Sequence, residues 1–140
     1  MKIMSLGMRV AMAAAALMLS GCGGAGSVAR SIEVGMKDIA YEPMTIQLRA
    51  SEPVRLVFRN DGKLVHDFTV EKIPAMNVSA RGGQASHEHG SVAPPVHLAL
   101  AGGQSGEISL TPTEPGDYEY YCTEAGHREA GMHGILRVGS

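Results

Sequence analysis

In three successive runs the apolar residues of this chain recur at every second position. Ile32 and Val34 alternate with Glu33 and Gly35, Ile46 and Leu48 with Gln47 and Arg49, and Val54, Leu56 and Phe58 with Arg55, Val57 and Arg59. Side chains two apart share one face of a strand, whereas a helix requires a spacing of three to four. Beyond the N-terminal segment, no helical spacing occurs before residue 80. Turn chemistry separates the runs at Glu52-Pro53, Asn60-Asp61-Gly62 and Pro115-Gly116-Asp117. A chain of 140 residues allows one domain built this way. The expected fold is all-β, a Greek-key β-sandwich of about seven or eight short antiparallel strands.

The N-terminal segment stands apart from that pattern. Lys2 and Arg9 precede an apolar run from Val10 to Leu19 that is too short for a dedicated membrane span. It ends in Leu19-Ser20-Gly21-Cys22, which resembles the lipobox of bacterial lipoproteins, where the signal is cut before a cysteine that then carries lipid. An ordinary secretory signal cut at a nearby small residue is the alternative. The expected organisation is a signal peptide over 1–21, a flexible Gly/Ala/Ser tether over 22–30 and a folded domain over 31–140. Of the two cysteines, Cys22 is then the lipidation site and Cys122 has no disulfide partner. A lone thiol in an oxidising compartment calls for protection, and metal ligation supplies it.

The stretch from Pro115 to Val138 carries the chemistry. A strand-like run, Tyr118-Glu119-Tyr120-Tyr121-Cys122, leads into a glycine-containing loop, and a short apolar strand follows from Ile135 to Val138. Cys122, His127 and Met132 are evenly spaced along the loop, four residues between neighbours. Period two puts Tyr118, Tyr120 and Cys122 on one side of the strand, so the thiol points inward if that side is the core. Soft sulfur donors suit Cu(I) and imidazole suits Cu(II), and two histidines with a cysteine and a weak axial methionine make a blue-copper ligand set. His66, in Val65-His66-Asp67-Phe68-Thr69-Val70, is the candidate for the missing imidazole; alone it would read as an ordinary half-buried histidine. His133, beside Met132, is the alternative axial ligand. Zinc could use two histidines and a cysteine, but methionine is a poor ligand for it.

Residues 74–103 break the composition with Gly, Ala, Ser, Pro and three histidines. Part of this insertion reads as a strand, since Val96, Leu98 and Leu100 alternate with His97, Ala99 and Ala101. The rest is expected to be a flap. His87 and His89 within it are candidate auxiliary metal contacts, against the plain reading as solvated polar residues.

Taken together, Pro-Gly-x-Tyr-x-Tyr-x-Cys, Cys-x4-His-x4-Met, Met-x-Gly-x-Leu-x-Val and the turn-His-Asp-Phe segment of Asn60 to Phe68 resemble the cupredoxins, which include plastocyanin, azurin and rusticyanin. The resemblance spans the chain from about Ser31 except for the His-rich insertion. It implies an equatorial set of His66, Cys122 and His127 with Met132 axial, one copper ion cycling between Cu(I) and Cu(II), and His127 as the electron port. Asp67 would bond backbone groups of the ligand loop, a place similar proteins often give to Asn or Ser.

The implied function is a lipid-anchored one-electron carrier on the periplasmic or cell-surface side of a bacterial membrane. Its partners would be redox proteins such as cytochromes or terminal oxidases. Copper delivery, storage or resistance is the alternative. A formal net charge of −2 without a lysine/arginine-rich run gives no basis for a nucleic-acid partner. The sequence presents no carboxylate pair or activated nucleophile for a small-molecule substrate, so the chain reads as a non-enzyme, with a catalytic type-2 copper centre as the remaining variant.

Overall fold

The computed structural model describes residues 29–83 and 96–140. Ten strands form in chain order: β1 (Arg30–Lys37), β2 (Ala40–Glu42), β3 (Thr45–Arg49), β4 (Val54–Asn60), β5 (His66–Val70), β6 (Ala75–Gly82), β7 (Val96–Leu100), β8 (Ser105–Pro112), β9 (Gly116–Tyr121) and β10 (His133–Gly139). They make two five-stranded sheets, ordered β2-β1-β4-β8-β6 and β3-β10-β9-β5-β7. The described residues contain no helix. The all-β sandwich is as expected, and period two decides its facing: Ile46, Leu48, Val54, Leu56, Phe58, Ile108 and Leu110 are all buried.

Three expectations need correction. The strands number ten. β2 lies in a segment that reads as a connection, because Tyr41 is buried there opposite Met36. The strands are also not all antiparallel: β1 runs parallel to β4, and β3 parallel to β10. Lastly, much of the 74–103 insertion is sheet. β6 pairs with β8 and β7 with β5, leaving 84–95, with His87 and His89, outside the described residues. Cys22, the signal segment and most of the tether also lie outside them. Strand β1 begins at Arg30, inside the expected tether.

Between the sheets sits an aromatic cluster. Tyr41 meets Phe68 and Tyr120 edge-on, with ring centroids 6.1 and 5.0 Å apart, and Phe68 also packs on Phe58 at 4.7 Å. Such pairs contribute roughly 0.5–1.5 kcal/mol each beyond the area they bury. Both buried tyrosines keep their hydroxyls bonded: Tyr120 donates to the Pro43 carbonyl at 2.9 Å and Tyr41 to the Asp67 carbonyl. The second bond ties the core directly to β5, the strand that begins with His66.

Candidate metal centre

His66 opens β5 because the turn before it is held from within. Asn60, fully buried at the end of β4, donates from Nδ2 to the carbonyls of Leu64 (2.8 Å) and Leu100 (2.9 Å), and its Oδ1 accepts from Gly62 N (3.0 Å). These bonds fix the β4–β5 turn against β7 and set the direction in which β5 starts. Cys122 follows β9 by one residue, on the inward side with Tyr120, as the alternation predicts.

The loop from Cys122 to Met132 is a run of turns closed by its own backbone. Cys122 N donates to Met132 O (3.1 Å), Met132 N to His127 O (2.9 Å) and His127 N to Glu124 O (3.0 Å). Gly126 and Gly131 take φ of 82° and 106°, in the left-handed region that a side chain disfavours, so the loop can double back on either side of His127.

Three donor atoms converge at this pole. His66 Nδ1 lies 3.3 Å from His127 Nδ1, and Cys122 Sγ lies 3.4 Å from His127 Nδ1. All three atoms fall within 4.8 Å of one another. A transition metal with M–N near 2.0 Å and M–S near 2.3 Å in a trigonal plane separates its donors by roughly 3.5–3.7 Å. The residues present therefore fit a single small cation of that kind. Met132 is fully buried at the end of the same loop, and His133 is exposed at the start of β10. His66 and Cys122 are buried, while His127 is half-buried and reaches toward solvent.

Burial holds the Cys122 and His66 donor groups in their uncharged forms. Burial pushes the Cys122 thiol up to about 11; an N–H from Asp67 opposes this and the Asp67 charge adds to it. Burial also lowers the His66 pKa, and the neighbouring His127 lowers it further. His66 Nε2 is buried without a hydrogen-bond partner.

Asp67, buried at 2 % exposure, straps the site together. Its N–H points at Cys122 Sγ (3.5 Å), and its carboxylate accepts from Thr123 N (3.1 and 3.0 Å) and Thr123 Oγ1 (2.6 Å). One residue thus touches the sulfur and locks the first step of the ligand loop. Sequence reasoning located Asp67 but missed Asn60, Tyr41 and Thr123 as supports. Tyr41 and Thr123 reach Asp67 across 26 and 56 residues and Asn60 reaches Leu100 across 40; the Asn60 bonds to Gly62 and Leu64 are local but show in the sequence only as a turn, and Thr123 adjoins Cys122.

Comparison with known proteins agrees with this geometry. The family described as cupredoxin-like domain matches residues 9–138. The chain is 34 % identical over 117 residues to the copper-resistant cuproprotein CopI of Rubrivivax gelatinosus, covering 83 % of this chain and 70 % of the relative. It is 31 % identical over 142 residues to the protein of the same name from Pseudomonas aeruginosa, covering 81 % and 78 %. Among solved structures, auracyanin B superposes with a TM-score of 0.58 at 27 % identity, covering 80 % of this chain and 90 % of that one. The chain belongs to the cupredoxin-like family.

Proposed function

We propose that His66, Cys122 and His127 would hold one copper ion, with Met132 as a fourth, weaker sulfur contact, and that the protein carries single electrons outside the cytoplasm. The observation that carries this reading is the spacing of the three buried or half-buried donors, 3.3 and 3.4 Å between neighbours, at one pole of a rigid sandwich. Copper bound there supplies a one-electron couple. The chain supplies a donor set suited to both oxidation states, fixed by the loop bonds and the Asp67 strap, so little rearrangement accompanies the change. Burial of Cys122 and Met132 keeps water from the sulfur ligands. His127 is the outlet for the electron, at a pole that also exposes Ile39, Leu64 and Val65 to a redox partner such as a cytochrome or terminal oxidase. Lipid on Cys22 keeps the domain near that partner.

The test is absorption and voltammetry of copper-loaded protein. The expected result is an intense thiolate-to-copper band and a reversible one-electron wave, both lost in Cys122→Ser. His89→Ala is expected to retain both; loss in that variant would bring the His-rich insertion into the site.

The names of the two CopI relatives favour a second reading, copper tolerance, in which the ion is cargo. A colourless protein that takes up Cu(I) and hands it to an acceptor chelator would support it. Strong colour with reversible cycling and no net transfer would support the carrier.

A further inference from the structure

The Asp67 strap does not end at Asp67. Its Oδ1 also meets the hydroxyl of Thr69 at 2.8 Å, and that same hydroxyl lies 2.8 Å from Nδ1 of His97. The register of the sheet builds the chain. Thr69 follows Asp67 by two residues on β5 and so shares its face, and Thr69 is directly paired with His97 on β7. Thr69 is buried at 2 % exposure, and His97 is half-buried. The row runs from the ligand sulfur through Asp67 and Thr69 to an imidazole at the edge strand of the sheet.

With Asp67 as a carboxylate, the protons in this row admit one arrangement. A threonine hydroxyl has a single hydrogen to donate and can also accept. Both Asp67 oxygens otherwise face donors: Thr123 N reaches both, Thr123 Oγ1 reaches Oδ2, and Sγ of Cys122 lies 3.9 Å from Oδ2. A carboxylate in that setting accepts, so the Thr69 hydrogen goes to Oδ1. The Thr69 oxygen must then accept from His97, which requires the hydrogen of His97 to sit on Nδ1. The opposite tautomer would put a bare Nδ1 against a hydroxyl oxygen whose only hydrogen is committed elsewhere. A buried polar pair left that way costs about as much as a lost hydrogen bond.

We propose that His97 is a positioning residue for the metal centre: its Nδ1–H fixes the Thr69 hydroxyl on Asp67, and through Asp67 it fixes the Cys122–Thr123 end of the ligand loop. This deepens the metal-site reading and rests on it for its relevance to copper. The network itself is a property of the metal-free chain and is tested there.

Two measurements on metal-free full-length protein decide it. Long-range nitrogen–proton NMR, at a pH where the ring carries one proton, should report His97 as the Nδ1–H tautomer; an Nε2–H tautomer overturns the proposal. The rate at which a disulfide reagent modifies Cys122 reads how often the strap opens. His97→Leu should raise that rate about fivefold, the equivalent of roughly 1 kcal/mol for one hydrogen bond. His97→Asn, whose amide can place an N–H near the Nδ1 position, should return it to within about twofold of the parent. An unchanged rate in His97→Leu, or no rescue by Asn, overturns the proposal. Should the leucine variant not fold, His97→Phe takes its place, since it keeps a flat ring but has no N–H to give Thr69. On loading copper, the reduction potential should shift in His97→Leu and return in His97→Asn. Failure to bind copper would refute the metal-site reading and leave the tautomer and rescue results standing on their own.

Discussion

At the scale of single residues, the metal-free site is uncomfortable in a way that pH can expose. His66 has a lowered pKa, so the unfolded chain takes up its proton more readily than the native one. The stability of the metal-free protein is therefore expected to fall as pH drops below about 6.5, the ordinary histidine value. Cys122 is raised from 9.0 to about 11, so there the unfolded chain loses its proton first. A second loss of stability, on the order of 2 kcal/mol, is expected as pH climbs from 9 toward 11. Denaturant melts of metal-free protein followed by far-ultraviolet circular dichroism across that range would show both limbs; flat limbs would contradict the buried assignments. The same thiol must surrender its proton to a metal, so uptake near neutral pH should release about one proton per ion, measurable by calorimetry in buffers of different ionisation enthalpy. Three of the four proposed ligand positions could be named from the sequence because donor chemistry and even spacing, 122, 127 and 132, survive without knowledge of the fold; His66 was named only as the second imidazole such a set would need. The Thr69–His97 contact was not readable, because it depends on which strands become neighbours and in which register.

At the scale of elements, the hairpin of β9 and β10 carries three of the four proposed ligands, and its packing is tight. A Cβ on Gly134 would lie 2.3 Å from the Met44 carbonyl oxygen and 2.4 Å from the Tyr120 ring. Gly134→Ala is expected to destabilise by about 3 kcal/mol or more, since both obstacles belong to the framework; a midpoint shift under about 1 kcal/mol would show that β10 can move. Asn60→Ala removes three bonds from the turn before His66 and should cost about 3 kcal/mol. It should also weaken metal affinity, whereas an unchanged affinity would mean that β5 holds His66 without the turn. Strands with one buried face, such as β3, β4 and β8, were legible because burial writes the alternation directly. β6 was not: nearly all its residues are exposed, including Met76 at 56 %, so no face had to be apolar. Nor could alternation reveal that β1 and β3 run parallel to their partners, because a period of two is the same in either direction.

At the scale of the whole molecule, a metal that binds only the folded state stabilises it by mass action. At a free copper concentration one hundred times the dissociation constant, the gain is about 2.7 kcal/mol, a rise in melting temperature on the order of 10 °C for a domain of this size. A chelator should reverse it, and Cys122→Ser should lose most of it. The parallel pairing of β1 with β4 has a further consequence. Arg30 sits beside Val54 and Met36 beside Asn60, so β1 travels from the opposite pole toward the turn that carries His66. β10 makes the return journey, from His133 next to Met132 to Gly139 beside Arg49. The stem that leads in at Ala29 is thus about seven strand residues, roughly 23 Å, from the donor cluster. On the proposed reading, an anchor at Cys22 would enter the sandwich at the end away from the donor cluster and leave His127 facing outward.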